Sequence, residues 1–327
     1  MKRILVTGAG GFLGGHLIAD LIRRNQGKTP IYVLAVDIKP IHDWCQDHSA
    51  EGVVNISRDL RIADNCLEVC EGVDYVYNLA ADMGGMGYIE THKAHCMLSV
   101  LINTHMLMAA RSQNVNRFFF SSSACTYSAD KQTDPNVTAL KESDAYPAMP
   151  EDGYGWEKLF SERMCRHFRE DFKLETRVAR FHNSYGPLGT YQGGREKAPA
   201  AICRKVIEAK KSGKHVIEIW GDGNQTRSFM YVDDCIKGIQ LIMNSDITEP
   251  INLGSSELVT INGLVSIVEE IAGVKLNRIY NLNAPHGVAG RNSDNTMIKE
   301  RLNWEPSIKL QDGLQKTYEW IYNEMTK

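Results

Sequence analysis

Residues 8–14 read Gly-Ala-Gly-Gly-Phe-Leu-Gly, and the segments on either side restrict the fold more than any other part of the chain. Arg3 to Thr7 is a β-rich apolar run, and after the glycines Leu17, Leu21 and Ile22 fall on one face of a predicted helix. A strand that turns through glycine into a helix opens a parallel βαβ unit. Without side chains at Gly8, Gly11 and Gly14, the backbone of the turn, which includes Phe12 and Leu13, can approach a pyrophosphate whose charge the helix dipole favours. Glycines also mark ordinary turns, so the placement between strand and helix carries the reading. Asp37 ends the next β-rich run at the distance where a carboxylate bonds the adenosine ribose hydroxyls. Its charge would repel a 2′-phosphate, which predicts NAD rather than NADP. The plainer alternative makes Asp37 a turn residue ahead of Lys39-Pro40. Asp59 and Leu60 close the third run, where they could contact adenine.

Further strand-like runs at Val53 to Ile56, Tyr75 to Leu79, Arg117 to Phe120 and Thr176 to Arg180 alternate with helical stretches. This predicts an α/β fold with a Rossmann-type, doubly wound parallel sheet covered on both faces. Cys96 to Ala110 is apolar nearly all round, as suits either a buried helix or one side of a subunit contact. Past Arg180 glycines and prolines crowd together and the alternation stops. From Phe229 a periodic stretch leads to Ile251-Asn252-Leu253, as if returning to the first lobe. The expected division is therefore interleaved: residues 1–178 plus 229–253 bind the dinucleotide, and a smaller lobe of 179–228 plus 254–327 binds substrate.

Composition removes several classes. The 327 residues carry 37 basic and 40 acidic side chains, a net charge of 37 − 40 = −3 without a polybasic run, which argues against a nucleic-acid partner. No apolar run approaches the roughly 20 residues of a membrane span. The first apolar stretch breaks at Thr7-Gly8, too early for a signal peptide, which predicts a cytoplasmic protein. Eight cysteines without a CxxC pair suit a reducing compartment and give no metal-ligand spacing, so no metal is expected.

In Tyr154-Gly155-Trp156-Glu157-Lys158 the tyrosine and lysine stand four apart and share a helix face. A nearby ammonium favours the phenolate of a tyrosine whose ordinary pKa is about 10, so the pair can take a hydroxyl proton while hydride leaves the same carbon. On its own, such a pair could equally sit by chance on a solvated helix.

The glycine turn, Ser121-Ser122-Ser123 at a strand end and the Tyr154/Lys158 pair together resemble the extended short-chain dehydrogenase/reductases. That resemblance implies a catalytic triad of Ser123, Tyr154 and Lys158. It also implies a cofactor-side loop at Asn78-Leu79-Ala80-Ala81, and bound NAD that oxidises a nucleotide sugar at C4′ and later returns the hydride. Within this family seven segments are similar to those of GDP-mannose 3′,5′-epimerases: 80–87, Ser122-Ser123-Ala124-Cys125, 141–145, 180–183, 193–200 (with Glu196, Lys197 and Ala198), 220–223 and 290–295. The likeness implies conversion of GDP-mannose to GDP-L-galactose and GDP-L-gulose by a homodimer. It departs at Thr126, Ser128 and Trp156.

A C4′ ketone acidifies the hydrogens at C3′ and C5′, and inversion needs one group to remove a proton and another to return one from the opposite face. A thiol of pKa about 8.5 suits the base and an ammonium the acid; by resemblance these are Cys125 and Lys197. Cys125 could instead be a small buried hydrophobe. Lys197 could hold a phosphate, and Arg195 is a competing cation in the same loop. For the diphosphate, guanidinium groups at Arg227 and Arg291 are the strongest candidates. By match Gly84, Asn183, Lys205 and Gln225 would also line the substrate site, although Lys205 could be a surface charge. Two related chemistries compete. A 4,6-dehydratase would carry an Asp-Glu pair where Ala124-Cys125 stands, and a simple 4′-epimerase needs no second acid/base pair. A non-catalytic NAD sensor is the reading outside enzymology.

Overall fold

The computed structural model describes residues 1–27, 30–46, 48–285 and 287–327. In chain order the strands are β1 (Lys2–Thr7), β2 (Ile31–Asp37), β3 (Val53–Ser57), β4 (Tyr75–Asn78), β5 (Arg117–Ser123), β6 (Thr176–Phe181), β7 (Asn183–Tyr185), β8 (Val216–Trp220), β9 (Thr226–Tyr231), β10 (Ile251–Leu253), β11 (Leu258–Thr260), β12 (Asn277–Asn281) and β13 (Gly290–Arg291). Seven of them form one sheet in the order β10-β6-β5-β4-β1-β2-β3, all parallel. Both faces are covered, which is why the strands read as unbroken apolar runs. Leu5, Val6, Phe118 and Phe119 are wholly buried, and each such side chain contributes about 1.5–3 kcal/mol of burial. Helices Ser99–Ser112 and Asp152–Phe172 pack on one face through Met106, Leu107, Cys165 and Phe168. On the other face, helices Phe12–Asn25 and Val232–Asn244 pack through Leu17, Leu21, Ile239 and Met243.

From β1 the chain steps outward to β2 and β3, then returns to place β4 on the other side of β1. That reversal opens a crevice at the carboxyl ends of β1 and β4, the ligand-binding position of open parallel sheets. The helical segment expected at Cys96 to Ala110 is interrupted at Leu98, between helices Lys93–Met97 and Ser99–Ser112. Its inner face is buried, while Leu98, Leu101 and Met108 are exposed.

In the second lobe β9 is central, pairing antiparallel with β11 and parallel with β7 and β13; β8 and β12 form a separate parallel pair. The β9–β13 register sets Arg227 directly beside Arg291. By strand pairing, β6 runs on to Phe181 within the large sheet and β9 belongs to the small one through Tyr231. One apolar core continues from Leu17 and Ile239 into Val206, Leu264 and Leu314 of the small lobe, so the lobes are packed together. Among the described residues no helix is long and apolar enough to cross a membrane, and no group of His, Cys, Asp or Glu could hold a metal ion.

Candidate active site

The glycine turn meets the requirements of a pyrophosphate cradle. Gly8 has φ +68°, and a Cβ on Gly14 would stand 2.2 Å from the Gly8 carbonyl oxygen, so the turn closes only without side chains. Helix Phe12–Asn25 starts at Gly11 without a side-chain cap, which leaves its first N–H groups to face an anion. Thr7 Oγ1 accepts from the backbone N–H groups of Leu79 and Ala80 at 3.1 and 3.2 Å, fixing the loop after β4, which continues into Ala81, against the end of β1. Asp37 is buried at the end of β2, where its carboxylate accepts from Gly10 N and Lys39 N, both at 3.0 Å. It therefore braces the glycine turn as well as facing the crevice. Asp59 pairs with Arg61 at 2.7 Å, which holds its carboxyl below the usual range, and Leu60 is buried just beyond the end of β3.

Lys158 is 1% exposed, and its ammonium has no hydrogen-bond acceptor among the described residues. Its surroundings are the rings of Phe120 and Tyr154, at 4.9 and 5.6 Å, and Glu157 Oε2 at 3.7 Å. A buried ammonium whose three donors lack an acceptor suits the hydroxyls of a ribose, so the residues fit a dinucleotide. Behind Lys158 runs a buried polar chain. Thr7 Oγ1 donates to Asn78 Oδ1 (2.7 Å), Asn78 Nδ2 donates to Asn103 Oδ1 (2.8 Å), and Asn103 Nδ2 donates to Glu157 and to Ser161 Oγ (3.0 Å). Asn103 and Glu157 were not singled out from sequence; Asn103, one of three adjacent polar residues in the apolar 96–110 stretch, was the available signal, and Glu157 sits among other charged residues of its helix.

Ser123 ends β5, and its hydroxyl accepts from Cys125 N at 3.1 Å; its polarity works against the rise of the Tyr154 phenol. Burial, followed by the neighbouring Cys125 and Glu157, pushes the Tyr154 phenol well above its ordinary value. Cys125, 6% exposed, packs with Tyr154, Cys96 and Ile89, and Ala124 is buried behind it. Gly155 permits this closeness: a Cβ there would meet the Cys125 carbonyl oxygen at 2.3 Å. Burial and then the charge of Glu151 push the Cys125 thiol up to about 11, against the pull of Arg291. Lys197 lies at the head of helix Ala198–Ser212, just before Ala198. Burial draws its ammonium below the ordinary value, while Cys125, the larger opposing influence, works to raise it, followed by Cys235. Thiol and amine are thus each held toward their neutral forms.

Arg195, the other cation of this loop, is held by the 82–88 segment. Its guanidinium bonds Asp82 Oδ1 (2.8 Å), Met83 O (3.2 Å) and Tyr88 Oη (2.6 Å), fastening the 82–88 loop to the 193–197 loop. Gly84 lies in that loop, and Glu196 accepts from Gly194 N at 2.7 Å and pairs with Arg204 at 3.4 Å.

Arg291 differs from the free phosphate ligand expected of it. Its Nη2 pairs with Glu151 at 2.7 Å, Nε donates to Gln132 Oε1 at 2.7 Å, and Nη1 reaches Cys125 Sγ at 3.5 Å. All three directions of the guanidinium are engaged beside the thiol. Glu151 and Gln132 went unnoticed in the sequence because no spacing rule links them to Arg291. Arg227 is buried alongside, with Nη1 donating to Thr226 O, and burial plus the like charge of Arg291 lower it to about 10. Asn183 Nδ2 donates to Ser228 O at 3.4 Å and Gln225 Nε2 to Trp220 O at 2.8 Å. Lys205 Nζ donates to Glu218 O at 2.9 Å and stands over the Trp220 ring. Nearby are two open clefts of about 520 and 440 Å³ that share Pro285: the first is bordered by Glu151, Gly287 and Val288, the second by Tyr88, His92, Arg195 and Trp220.

Residues 4–254 match the model of the NAD dependent epimerase/dehydratase family, and the chain belongs to that family. The cofactor is accordingly NAD. Among individual relatives, the chain is 48% identical to GDP-mannose 3,5-epimerase 1 of Oryza sativa subsp. japonica over 99% of this chain and 83% of that protein. With GDP-mannose 3,5-epimerase of Arabidopsis thaliana the identity is 45% over the same shares. Of solved structures, MoeE5 in complex with UDP-glucose and NAD superposes with TM-score 0.78 at 26% identity, covering 99% of this chain and 100% of that one. UDP-glucose 4-epimerase of Thermotoga maritima superposes with TM-score 0.85 at 23% identity and the same coverage, a likeness of fold.

Proposed function

We propose that the protein converts GDP-mannose to GDP-L-galactose and GDP-L-gulose; the observation that carries this is the buried Cys125 thiol packed against Tyr154 and reached by Arg291 Nη1 at 3.5 Å, with Lys197 at the head of helix Ala198–Ser212 proposed as its acid/base partner. The plant relatives, named for 3,5-epimerisation of this sugar nucleotide, support the substrate. NAD supplies a reversible hydride acceptor for C4′. Tyr154 takes the C4′ hydroxyl proton, Ser123 orients that oxygen, and the Lys158 ammonium favours the phenolate against the burial that opposes it. With C4′ a ketone, Cys125 and Lys197 exchange protons at C3′ and C5′ from opposite faces. Arg227 meets the diphosphate; Arg291 works from beside the thiol. Gly84, Ala124, Asn183, Glu196, Ala198, Lys205 and Gln225 shape the substrate cleft. Gly8, Gly11, Phe12, Leu13, Gly14, Asp37, Leu79, Ala80 and Ala81 hold the dinucleotide, with Asp59 and Leu60 at its adenine end.

The protein acts in the cytoplasm as a homodimer joined through helices Ser99–Ser112 and Asp152–Phe172. Support for that surface is the exposure of Leu101, Met108, Trp156 and Phe160 along these two helices. The experiment that tests the activity is proton NMR of GDP-mannose with the protein in heavy water. Deuterium at C3′ and C5′ with new GDP-hexoses is expected. Deuterium at C5′ alone restricts the product to the gulose form, loss of the C6′ hydroxyl identifies a dehydratase, and NAD-loaded protein without exchange refutes the proposal.

A further inference from the structure

We infer that Glu151 is a positioning residue for the proton transfer: by holding the Arg291 guanidinium it sets the pH at which Cys125 becomes a thiolate. The inference rests on the reading of Cys125 as an acid/base group.

One cation here serves two anionic claimants. Arg291 Nη2 lies 2.7 Å from Glu151 Oε2 and Nη1 lies 3.5 Å from Cys125 Sγ, while Gln132 Oε1 receives Nε at 2.7 Å and fixes the plane of the guanidinium. The side chains of Arg291 and Glu151 are 6% and 14% exposed, so solvent screens the exchange weakly. The carboxylate is the nearer partner and carries a full charge, so it neutralises much of the field that Arg291 would otherwise direct at the sulfur. Glu151 is also fixed to the thiol's own residue through its backbone, since Glu151 N donates to Cys125 O at 2.9 Å. Other groups whose charge or polarity acts on the thiol, or is acted on by it, come from separate elements: Ser123 at the end of β5, Tyr154 on the helix that follows Glu151, Lys197 ahead of helix Ala198–Ser212, and Arg227 on β9 beside Arg291.

The electrostatics agree in direction. Burial and then Glu151 raise the Cys125 thiol, and Arg291 opposes them. Burial also works against the Glu151 charge, but Arg291 outweighs it and holds that carboxyl below its ordinary value. Glu151 is thus charged across the neutral range, when the thiol must lose its proton. A raised thiol pKa means that thiolate forms only at higher pH, so taking away the Glu151 charge must move its appearance to lower pH.

The substitution Glu151→Gln keeps the shape, the backbone tie and a hydrogen-bond acceptor for Arg291 while removing the charge. Thiolate absorbance in the ultraviolet, titrated against pH and corrected with the same titration of Cys125→Ala protein, reads Cys125 without any sugar nucleotide. The Cys125 midpoint should fall by about one unit or more in Glu151→Gln, while Glu151→Asp, which keeps the charge, moves it less. The acid limb of deuterium exchange at C5′ of GDP-mannose, read against each protein's own plateau, should shift in the same direction. A midpoint that stays or rises in Glu151→Gln overturns the inference. Because the thiol titration needs no substrate, that failure is separate from failure of the wild-type protein to exchange deuterium, which would refute the activity.

Discussion

Replacing Arg180 by Met should unfold the protein several degrees earlier, and replacing its partner as well should restore most of the loss. Arg180 on β6 and Glu162 on helix Asp152–Phe172 are each 3% exposed and paired twice over, with Nε to Oε1 at 2.8 Å and Nη2 to Oε2 at 2.7 Å. The remaining Arg180 nitrogen donates to Glu142 O at 2.7 Å, and the guanidinium lies over the Tyr127 ring. Arg180→Met leaves the Glu162 carboxylate buried with only the Ser122 hydroxyl to serve it, a change that costs about 3–5 kcal/mol. Unfolding entropy of about 2.1 cal/mol/K per residue over 327 residues is about 0.7 kcal/mol/K, so Tm should fall by about 4–7 °C. Calorimetry at fixed NAD concentration measures this. The double variant Arg180→Met/Glu162→Met buries no charge and should recover more than half of the drop. A single variant within about 1 °C of wild type, or a double variant less stable than the single, would refute the reasoning. Glu162 lies one helical turn beyond Lys158, so the single variant should also loosen the catalytic helix and slow C4′ oxidation.

Cys125→Ala should abolish deuterium exchange while C4′ oxidation, followed by transient NADH absorbance, continues; Tyr154→Phe should instead slow the oxidation itself by about 10²–10⁴-fold. For Gly14→Ala the new Cβ would lie 2.2 Å from Gly8 O, so the purified variant should lose its bound dinucleotide, as released nucleotide after denaturation will report. Asp37→Asn removes the charge and keeps an acceptor for only one of the two backbone N–H groups, Gly10 N on Oδ2 and Lys39 N on Oδ1, and should narrow the preference for NAD over NADP in a binding titration. An unchanged preference would assign Asp37 to bracing the glycine turn alone.

The central sheet was legible because strands buried on both faces must be continuous apolar runs, and Phe118 to Phe120 is such a run. Local spacing also exposed the glycine turn and the Tyr154/Lys158 pair, whose geometry is set within a turn or a single helix. Two features stayed hidden because they depend on strand register between distant segments. Arg227 and Arg291 become neighbours only through the β9–β13 pairing, and Arg291 meets Glu151 and Gln132 across more than a hundred residues of chain. The choice between Arg195 and Lys197 was undecidable for a similar reason. Asp82 and Tyr88, which claim Arg195, lie far upstream in a loop whose approach cannot be read from composition. The Cys96 to Ala110 segment combined both sequence alternatives, a buried inner face and an exposed apolar outer one, which periodicity could not resolve in a stretch apolar nearly all round.

The electrostatics of the site also bear on how it would meet a diphosphate. Arg227 and Arg291 are buried side by side, and the repulsion between them is part of what lowers Arg227 to about 10, behind burial itself. Glu151 offsets one of these charges, and Lys197 is drawn toward its neutral amine by burial. A diphosphate carries about two negative charges into this enclosure, so it relieves the Arg227–Arg291 repulsion and favours the charged form of Lys197. The same anion, through its field, opposes thiolate formation at Cys125. Binding therefore drives the lysine toward the proton-donating form, and leaves the thiol dependent on Arg291 for its ionisation. That dependence gives Glu151, which competes for Arg291, its leverage over the reaction.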